Sequence, residues 1–248
     1  MTKFSYQLYS SRKFGPIEST LEMVSQCGYR QVEAYGGLYG DLDRLERALG
    51  VNSLVMPTGH FDLSMIEQTP NQAIEIAKRM GMTSVIVPFL NLDDRPADAK
   101  GWQKFSDQLA EVAKPILDAG LTFAWHNHDF EFSALDSGEM PLEFILSDEN
   151  GVSLELDLAW VVVGGESPSE WVKKYADRLV SVHLKDIALK GECVSEDGWA
   201  DVGHGTMDWS IIMDAVMKTQ CKYFVMEHDN PNDDIRFAER SITAANKF

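Results

Sequence analysis

The sequence predicts an α/β protein built as a single (β/α)8 TIM barrel spanning residues 1–248. Three observations predict it. Short β-branched or aromatic runs alternate with longer amphipathic runs from end to end. Eight such pairs occur in order, which is the plan of a closed parallel barrel. The length, 248 residues, is that of one such barrel, and no composition break or Pro/Gly/Ser linker divides it. An open doubly wound sheet is the alternative, but the first strand–turn–helix carries no glycine-rich dinucleotide fingerprint.

The strand runs are 4–10 (FSYQLYS), 30–36 (RQVEAYG), 52–60 (NSLVMPTGH), 83–90 (TSVIVPFL), 121–128 (LTFAWHNH), 152–157 (VSLELD), 179–186 (LVSVHLKD) and 222–229 (KYFVMEHD). The helical runs are 17–28, 42–50, 71–81, 99–120, 141–147, 167–177, 208–219 and 234–247. Gly28, Gly50, Gly81 and Gly120 sit at the ends of helical runs, where a left-handed residue closes the helix. Ser167 before Pro168 reads as an N-cap followed by a first-turn proline, and Asp208 reads as a second N-cap. The 188–208 connection is too long for a plain connector and reads as a lid or binding loop.

Hydrophobic content of 44% and charged content of 25% are those of a soluble globular chain. The net charge of −17 and the lack of any Lys/Arg-rich run exclude a nucleic-acid binder and disfavour anionic membranes. They also weigh against a phosphorylated substrate. Cys27, Cys193 and Cys221 are odd in number and widely spaced, so reduced thiols are expected. The N-terminal residues 1–16 contain no apolar leader, and no run is long enough to span a bilayer. A cytoplasmic location is the expectation.

Strands of a parallel barrel are buried on both faces, so a polar side chain inside one is costly unless it is paired or bound. This chain concentrates such side chains at the C-terminal strand ends, the active-site mouth of such barrels. Strand five ends in His126-Asn127-His128, strand six in Glu155-Leu156-Asp157, strand seven in His183-Leu184-Lys185-Asp186, and strand eight in Glu227-His228-Asp229. Side chains alternate along a strand, so His126 and His128 share a face, as do Glu155 and Asp157, His183 and Lys185, and Glu227 and Asp229. Gln7, Glu33 and His60 extend the pattern to strands one to three. One strand-end histidine alone reads as a hydrogen-bonded structural residue, and Asp129, Asp186 and Asp229 read equally well as helix caps. Four consecutive ends together read as one site. Mixed imidazole and carboxylate groups suit one divalent ion: Mn, Zn, Co, Fe or, least well, Mg, with Mn or Zn favoured. Trp160, after LELD, is a candidate sugar-stacking wall or plain packing.

The segments AWHNHDFEF, LELDLAW, VHLKD, DVGHGTMDW and VMEHD, with TGHFDL and VEAYGG, resemble successive motifs of the sugar phosphate isomerase/epimerase superfamily, the xylose isomerase-like barrels. The resemblance covers essentially the whole chain. It implies a metal held by Glu, Asp, His and Glu from strands five to eight. Asp157, His183 and Glu227 match, and His126 stands where the epimerases have the first Glu. In the 3-epimerases both ligand glutamates move protons, on opposite faces of the substrate, so that mechanism loses one partner here. The HNHDxEF pattern resembles a branch associated with keto-sugar, keto-inositol or keto-glycoside substrates.

The expected activity is isomerisation or epimerisation of a sugar or keto-sugar through an enediolate. A lyase or dehydratase acting on a keto-inositol or 3-keto-glycoside is the alternative. His126, Asp157, His183 and Glu227 are the expected metal ligands. Glu131, Glu155, Glu227, His128 and Lys185 are candidate acids and bases. Glu33, His60, Asn127, Trp160 and His204 are candidates for substrate binding, with the loop around His204 closing over the substrate. A damaged-DNA endonuclease shares this barrel but needs a basic face, and a non-catalytic sugar-binding barrel remains a rival. A small carbohydrate is the expected partner, and symmetric pairing into a homodimer is a general prior.

Overall fold

In each barrel strand one set of alternate side chains meets the helices and the other meets the barrel axis. The computed structural model describes residues 4–248. Residues 1–3, where the leader-free reading and the single-domain span begin, lie outside it. The strands are β1 (Phe4–Gln7), β2 (Gln31–Ala34), β3 (Val55–His60), β4 (Ser84–Val87), β5 (Thr122–His126), β6 (Ser153–Asp157) and β7 (Leu179–Leu184). After them come β8 (Asp186–Ile187), β9 (Trp199–Ala200) and β10 (Tyr223–Met226). Strands β1 to β7 and β10 close a barrel in the order β1-β10-β7-β6-β5-β4-β3-β2, every pair parallel. The fold is the expected TIM barrel.

Among the described residues ten helices surround it: α1 (Ile17–Gln26), α2 (Leu42–Val51), α3 (Leu63–Gln68), α4 (Pro70–Arg79), α5 (Ala99–Asp118), α6 (Pro141–Ile145), α7 (Leu158–Val163), α8 (Pro168–Lys174), α9 (Trp209–Val216) and α10 (Asp234–Ala245). Eight are the expected ones. The other two, α3 and α7, are single short helices inside connections. Helix α7 forms because Asp157 Oδ1 accepts from the N–H groups of Ala159 and Trp160 at 2.9 and 3.0 Å, satisfying two free donors of its first turn. Asp208 caps α9 as expected. Ser167 precedes α8, but its hydroxyl makes no capping bond. Gly50 does not take the left-handed position: it lies within α2, and Ser53 adopts φ 52 instead.

The helix-facing layer is apolar and closely packed. Trp125 meets Phe105 edge-on at 5.7 Å, and Val32, Val85, Phe123, Leu154 and Val182 are fully buried. The axis-facing layer is polar, with Ser5, Gln7, Glu33, Thr58, His60, Glu155, Ser181 and His183 all buried. Most strands end sooner than the sequence runs suggest. In β1 the side-chain carbonyl of Gln7 accepts from Tyr9 N–H at 3.1 Å and turns the chain into a 3-10 segment, Leu8–Ser11. No helix among the described residues is long and apolar enough to cross a membrane.

The long loop is built, not slack. Strands β8 and β9 pair antiparallel, and the fully buried Asp186 carboxylate gathers the segment. It accepts from the N–H groups of Ile187, Gly203 and Met207 and from Trp209 Nε1, at 2.8 to 3.1 Å. Asp186→Ala is expected to lower unfolding free energy by about 3 kcal/mol, because four buried donors lose a charged acceptor. Urea denaturation checks it, and a change within experimental error would show that the loop is anchored elsewhere.

Candidate metal centre

The barrel brings the polar strand ends to one point. His126 ends β5, Asp157 ends β6, His183 lies in β7 and Glu227 follows β10. All four are buried, and one ligand atom from each lies within 4.8 Å of the others. His183 Nδ1 is 2.9 Å from Glu227 Oε2, and His126 Nε2 is 4.0 Å from Asp157 Oδ2. The donor set is two imidazole nitrogens and two carboxylate oxygens, which suits a divalent transition ion. Asp157 supports the fit. Its Oδ1 caps α7, while the buried Oδ2 makes no hydrogen bond, although Lys185 Nζ is 3.1 Å away.

Charges around this point are balanced at short range. Glu155 Oε1 lies 2.7, 3.0 and 3.2 Å from nitrogens of His60, His183 and His126. Glu33 Oε1 takes the amide of Gln7 at 2.7 Å and lies 2.7 Å from His183 Nε2. Lys185 Nζ is 3.1 Å from Asp157, 2.9 Å from Glu227 and 2.9 Å from Asp229. Burial alone would depress the imidazolium forms. For His60, Glu33 and Glu155 outweigh it and raise the ring to about 9. For His183 burial is outweighed by Glu155, Glu227 and Glu33, and the ring sits well above its ordinary value. His126 is pushed down by burial and by His183, and His128 is pushed well down by burial and then His126 and Lys185. Glu227 overcomes burial through Lys185 and His183 and stays ionised, whereas burial lifts Asp229 to about 6.

A cavity of about 440 Å³ opens over the centre, lined by His60, His126, His128, Glu227 and Asp229, with Tyr9, Tyr35, Asp62 and Phe89 among its rim residues. The expected site residues divide in two groups. His60, His126, His128, Asp157, His183, Lys185 and Glu227 converge, with Glu33 and Glu155 directly beneath. Trp160 joins the edge: its ring is 5.1 Å from His128 and 5.4 Å from Lys185 Nζ.

Three residues are drawn elsewhere. Glu131 turns to the helix-facing layer, where it accepts from Trp125 Nε1 at 2.9 Å and His128 N–H at 2.8 Å. Asn127 is spent joining β5 to β6, its side chain bonding both the N–H and the C=O of Asp157. His204 is exposed and faces Glu239 and Arg240 of α10, because Asp186 pins its neighbour Gly203 outward. From the same loop, Trp199 approaches the site instead, 4.9 Å from Trp160 and 5.0 Å from Lys185 Nζ. No pattern in the sequence distinguished Trp199 from a core tryptophan. Tyr9, Tyr35, Asp62 and Phe89 sit on turns after strands, where periodicity says nothing.

The comparisons fit this geometry. The model of the xylose isomerase-like TIM barrel family matches residues 21–245. The chain belongs to that family. Inosose dehydratases of Clostridium beijerinckii and Clostridium botulinum are 25% and 33% identical over 195 residues, covering 71% of this chain and 65% of theirs. A sugar phosphate isomerase/epimerase from Parabacteroides distasonis superposes with a TM-score of 0.82 at 19% identity, over 98% of this chain and 94% of that one. The chain is thus a xylose isomerase-like barrel with a buried His/carboxylate cluster suited to a divalent metal.

Purified protein is expected to bind Mn, Zn or Co near stoichiometrically and to lose it in the Asp157→Ala, His183→Ala double variant, read by elemental analysis. Binding is expected to strengthen as pH rises, because His183, held protonated by its carboxylates, must give up a proton to become a ligand. Titration in buffers of different ionisation enthalpy counts that proton. Glu131 gives a separate test. Burial raises its carboxyl from 4.5 to about 7, against the pull of Trp125 and His128 N–H. The folded state therefore holds this proton more tightly than the unfolded one. The stability that follows is full below pH 4.5 and lost as pH rises through about 7. Relative to Glu131→Gln, wild-type stability should fall by about 3 kcal/mol between pH 4 and 8. A difference flat with pH would refute the burial argument.

Proposed function

We propose that this barrel is a metal-dependent lyase that dehydrates a neutral keto-inositol or keto-sugar, 3-keto-glycosides included. The arrangement of acids and bases carries the reading. Glu227 and Asp229 line the cavity from the end of β10, while His60, His126 and His128 supply imidazoles from β3 and β5. A two-faced epimerisation calls for a carboxylate on each face, and the position that would supply the second is His126. Elimination needs one base and one acid.

A divalent ion held by His126, Asp157, His183 and Glu227 would act as a Lewis acid on the carbonyl and its neighbouring hydroxyl. Glu227, kept ionised against its burial by Lys185, takes the proton from the carbon beside the carbonyl. Its Oε2 is engaged by His183 and Lys185, so Oε1 serves as the base. His60 lines the cavity and is held protonated to about 9, so it donates to the departing β-hydroxyl. The products are water and an α,β-unsaturated ketone, with Glu227 protonated and His60 neutral. Asp62, Glu227 and Asp229 line the cavity, and the Lys185 charge is shared among three carboxylates, which favours an uncharged substrate over a phosphorylated one. The names of the clostridial relatives point to the same substrate class.

A second reading is the isomerase or epimerase. It rests on His60, which lines the cavity in its protonated form and can return a proton to the substrate carbon instead of to a departing hydroxyl. Both readings share the first proton transfer. Metal-loaded protein incubated in D2O with keto-inositols, keto-sugars and 3-keto-glycosides separates them by NMR. A vinylic product supports the dehydratase, and deuterium gained without loss of water supports the epimerase. No exchange with any of these would leave a sugar-binding barrel without chemistry. Glu227→Gln is expected to lower kcat at least 100-fold with an unchanged circular dichroism spectrum, roughly the worth of a general base.

A further inference from the structure

We propose that Glu155 is a positioning residue that sets which ring nitrogen of His126 and of His183 faces the metal. The inference rests on the metal centre described above. Glu155 is fully buried and does not line the cavity, so no substrate proton reaches it. Its Oε1 meets Nε2 of His60 at 2.7 Å, Nε2 of His183 at 3.0 Å and Nδ1 of His126 at 3.2 Å. Glu33 Oε1 reinforces it, 2.7 Å from the same Nε2 of His183.

A neutral imidazole has one N–H and one lone pair. Both nitrogens of His183 face carboxylates, Nε2 those of Glu33 and Glu155 and Nδ1 that of Glu227, but Glu227 belongs to the ligand set. A nitrogen that meets a carboxylate outside the ligand set keeps the hydrogen, and the other presents the lone pair to the ion. Nε2 of His126 therefore presents its lone pair toward Asp157 Oδ2, and Nδ1 of His183 presents its own toward Glu227 Oε2. The two rings use opposite nitrogens, one from β5 and the other from β7 on either side of β6.

The choice of nitrogen separates two groups with ligand spacing, and the cavity favours one of them. His60, His126, Glu155 and His183 also lie close enough to hold an ion. That inner group would need Nδ1 of His126 and Nε2 of His183, the nitrogens the outer group leaves protonated. Filling both groups would require two imidazolates, so one excludes the other. The outer group contains His126 and Glu227, which line the cavity, and an ion there can meet a substrate. Glu155 thus acts through the histidines. A carboxylate at the hub holds three rings from three strands in one orientation.

The test uses wild-type protein loaded with Zn²⁺ and enriched in ¹⁵N. Ring-nitrogen shifts, assigned with single histidine variants, should show zinc on Nε2 of His126 and Nδ1 of His183, with hydrogens on the opposite nitrogens. Zinc on Nδ1 of His126 and Nε2 of His183 would overturn the proposal and make Glu155 a ligand. Zn²⁺ affinity, read by competition with a chelating dye, should fall about 10–100-fold in Glu155→Leu. Glu155→Gln, which keeps the accepting oxygen, should lose less than Leu. Wild-type affinity in the Leu variant, or complete loss in Gln, would each overturn the positioning role. A wild type that binds no zinc at all would remove the metal centre itself and the inference with it.

Discussion

The structure turns on the neutralisation of charge inside a closed barrel. Glu33, Glu155, Asp157 and Glu227 are buried together at the axis end, with Lys185, His60 and His183 as their nearby positive partners. An isolated buried carboxylate would be very costly, and removing one partner of a buried pair strands the other. The strand ends are therefore held in register by their side chains as much as by their ladders. Glu155 alone ties β6 to His60 of β3, His126 of β5 and His183 of β7.

That arrangement gives little net stability, because the gain in pairing offsets the loss of hydration. Stability comes from the other face of the same strands. Trp125 neighbours His126 and packs edge-on against Phe105, while Val182 and Leu184 flank His183, fully buried. Alternation along each strand lets one residue serve the core and its neighbour serve the site. Glu131 shows the boundary between these roles. It follows the HNHD turn but falls on the apolar side, where Trp125 takes it as a partner.

This alternation also explains what the sequence made legible. Strand ends with polar residues two apart disclosed the site, since nothing else explains charge inside a parallel barrel. The convergence of His126, Asp157, His183 and Glu227 was readable for that reason. Residues beyond the strands were not. Asn127 and Glu131 are polar and close in sequence to ligands, yet their partners are backbone groups that only the turn brings near. His204 read as a substrate-binding residue of a closing loop, but a single buried carboxylate, Asp186, holds that loop through Gly203. The β8–β9 ladder, which pairs Ile187 with Trp199, sets Trp199 beside Trp160, and no periodicity encodes that. Short helices such as α7 were hidden too, because their start depends on Asp157, a residue already claimed for the site.

The exchange of a carboxylate for His126 alters the chemistry through charge more than through shape. The four ligand side chains carry two negative charges, those of Asp157 and Glu227, when both imidazoles are neutral. A divalent ion then leaves the set neutral, whereas a third carboxylate would make it negative and damp the pull on a carbonyl oxygen. Lys185, 3.1 Å from Asp157 and 2.9 Å from Glu227, adds a positive charge to the same neighbourhood. The centre is therefore biased toward stabilising negative charge that develops on substrate oxygen, the charge that arises when a proton leaves the adjacent carbon. At the end of β5 it presents the imidazole of His126 and not a carboxylate. In the elimination proposed above, an electrophilic centre with its carboxylate base on one wall would serve proton loss followed by departure of a group. In that proposed reaction the imidazolium of His60 would supply the proton for the departing group.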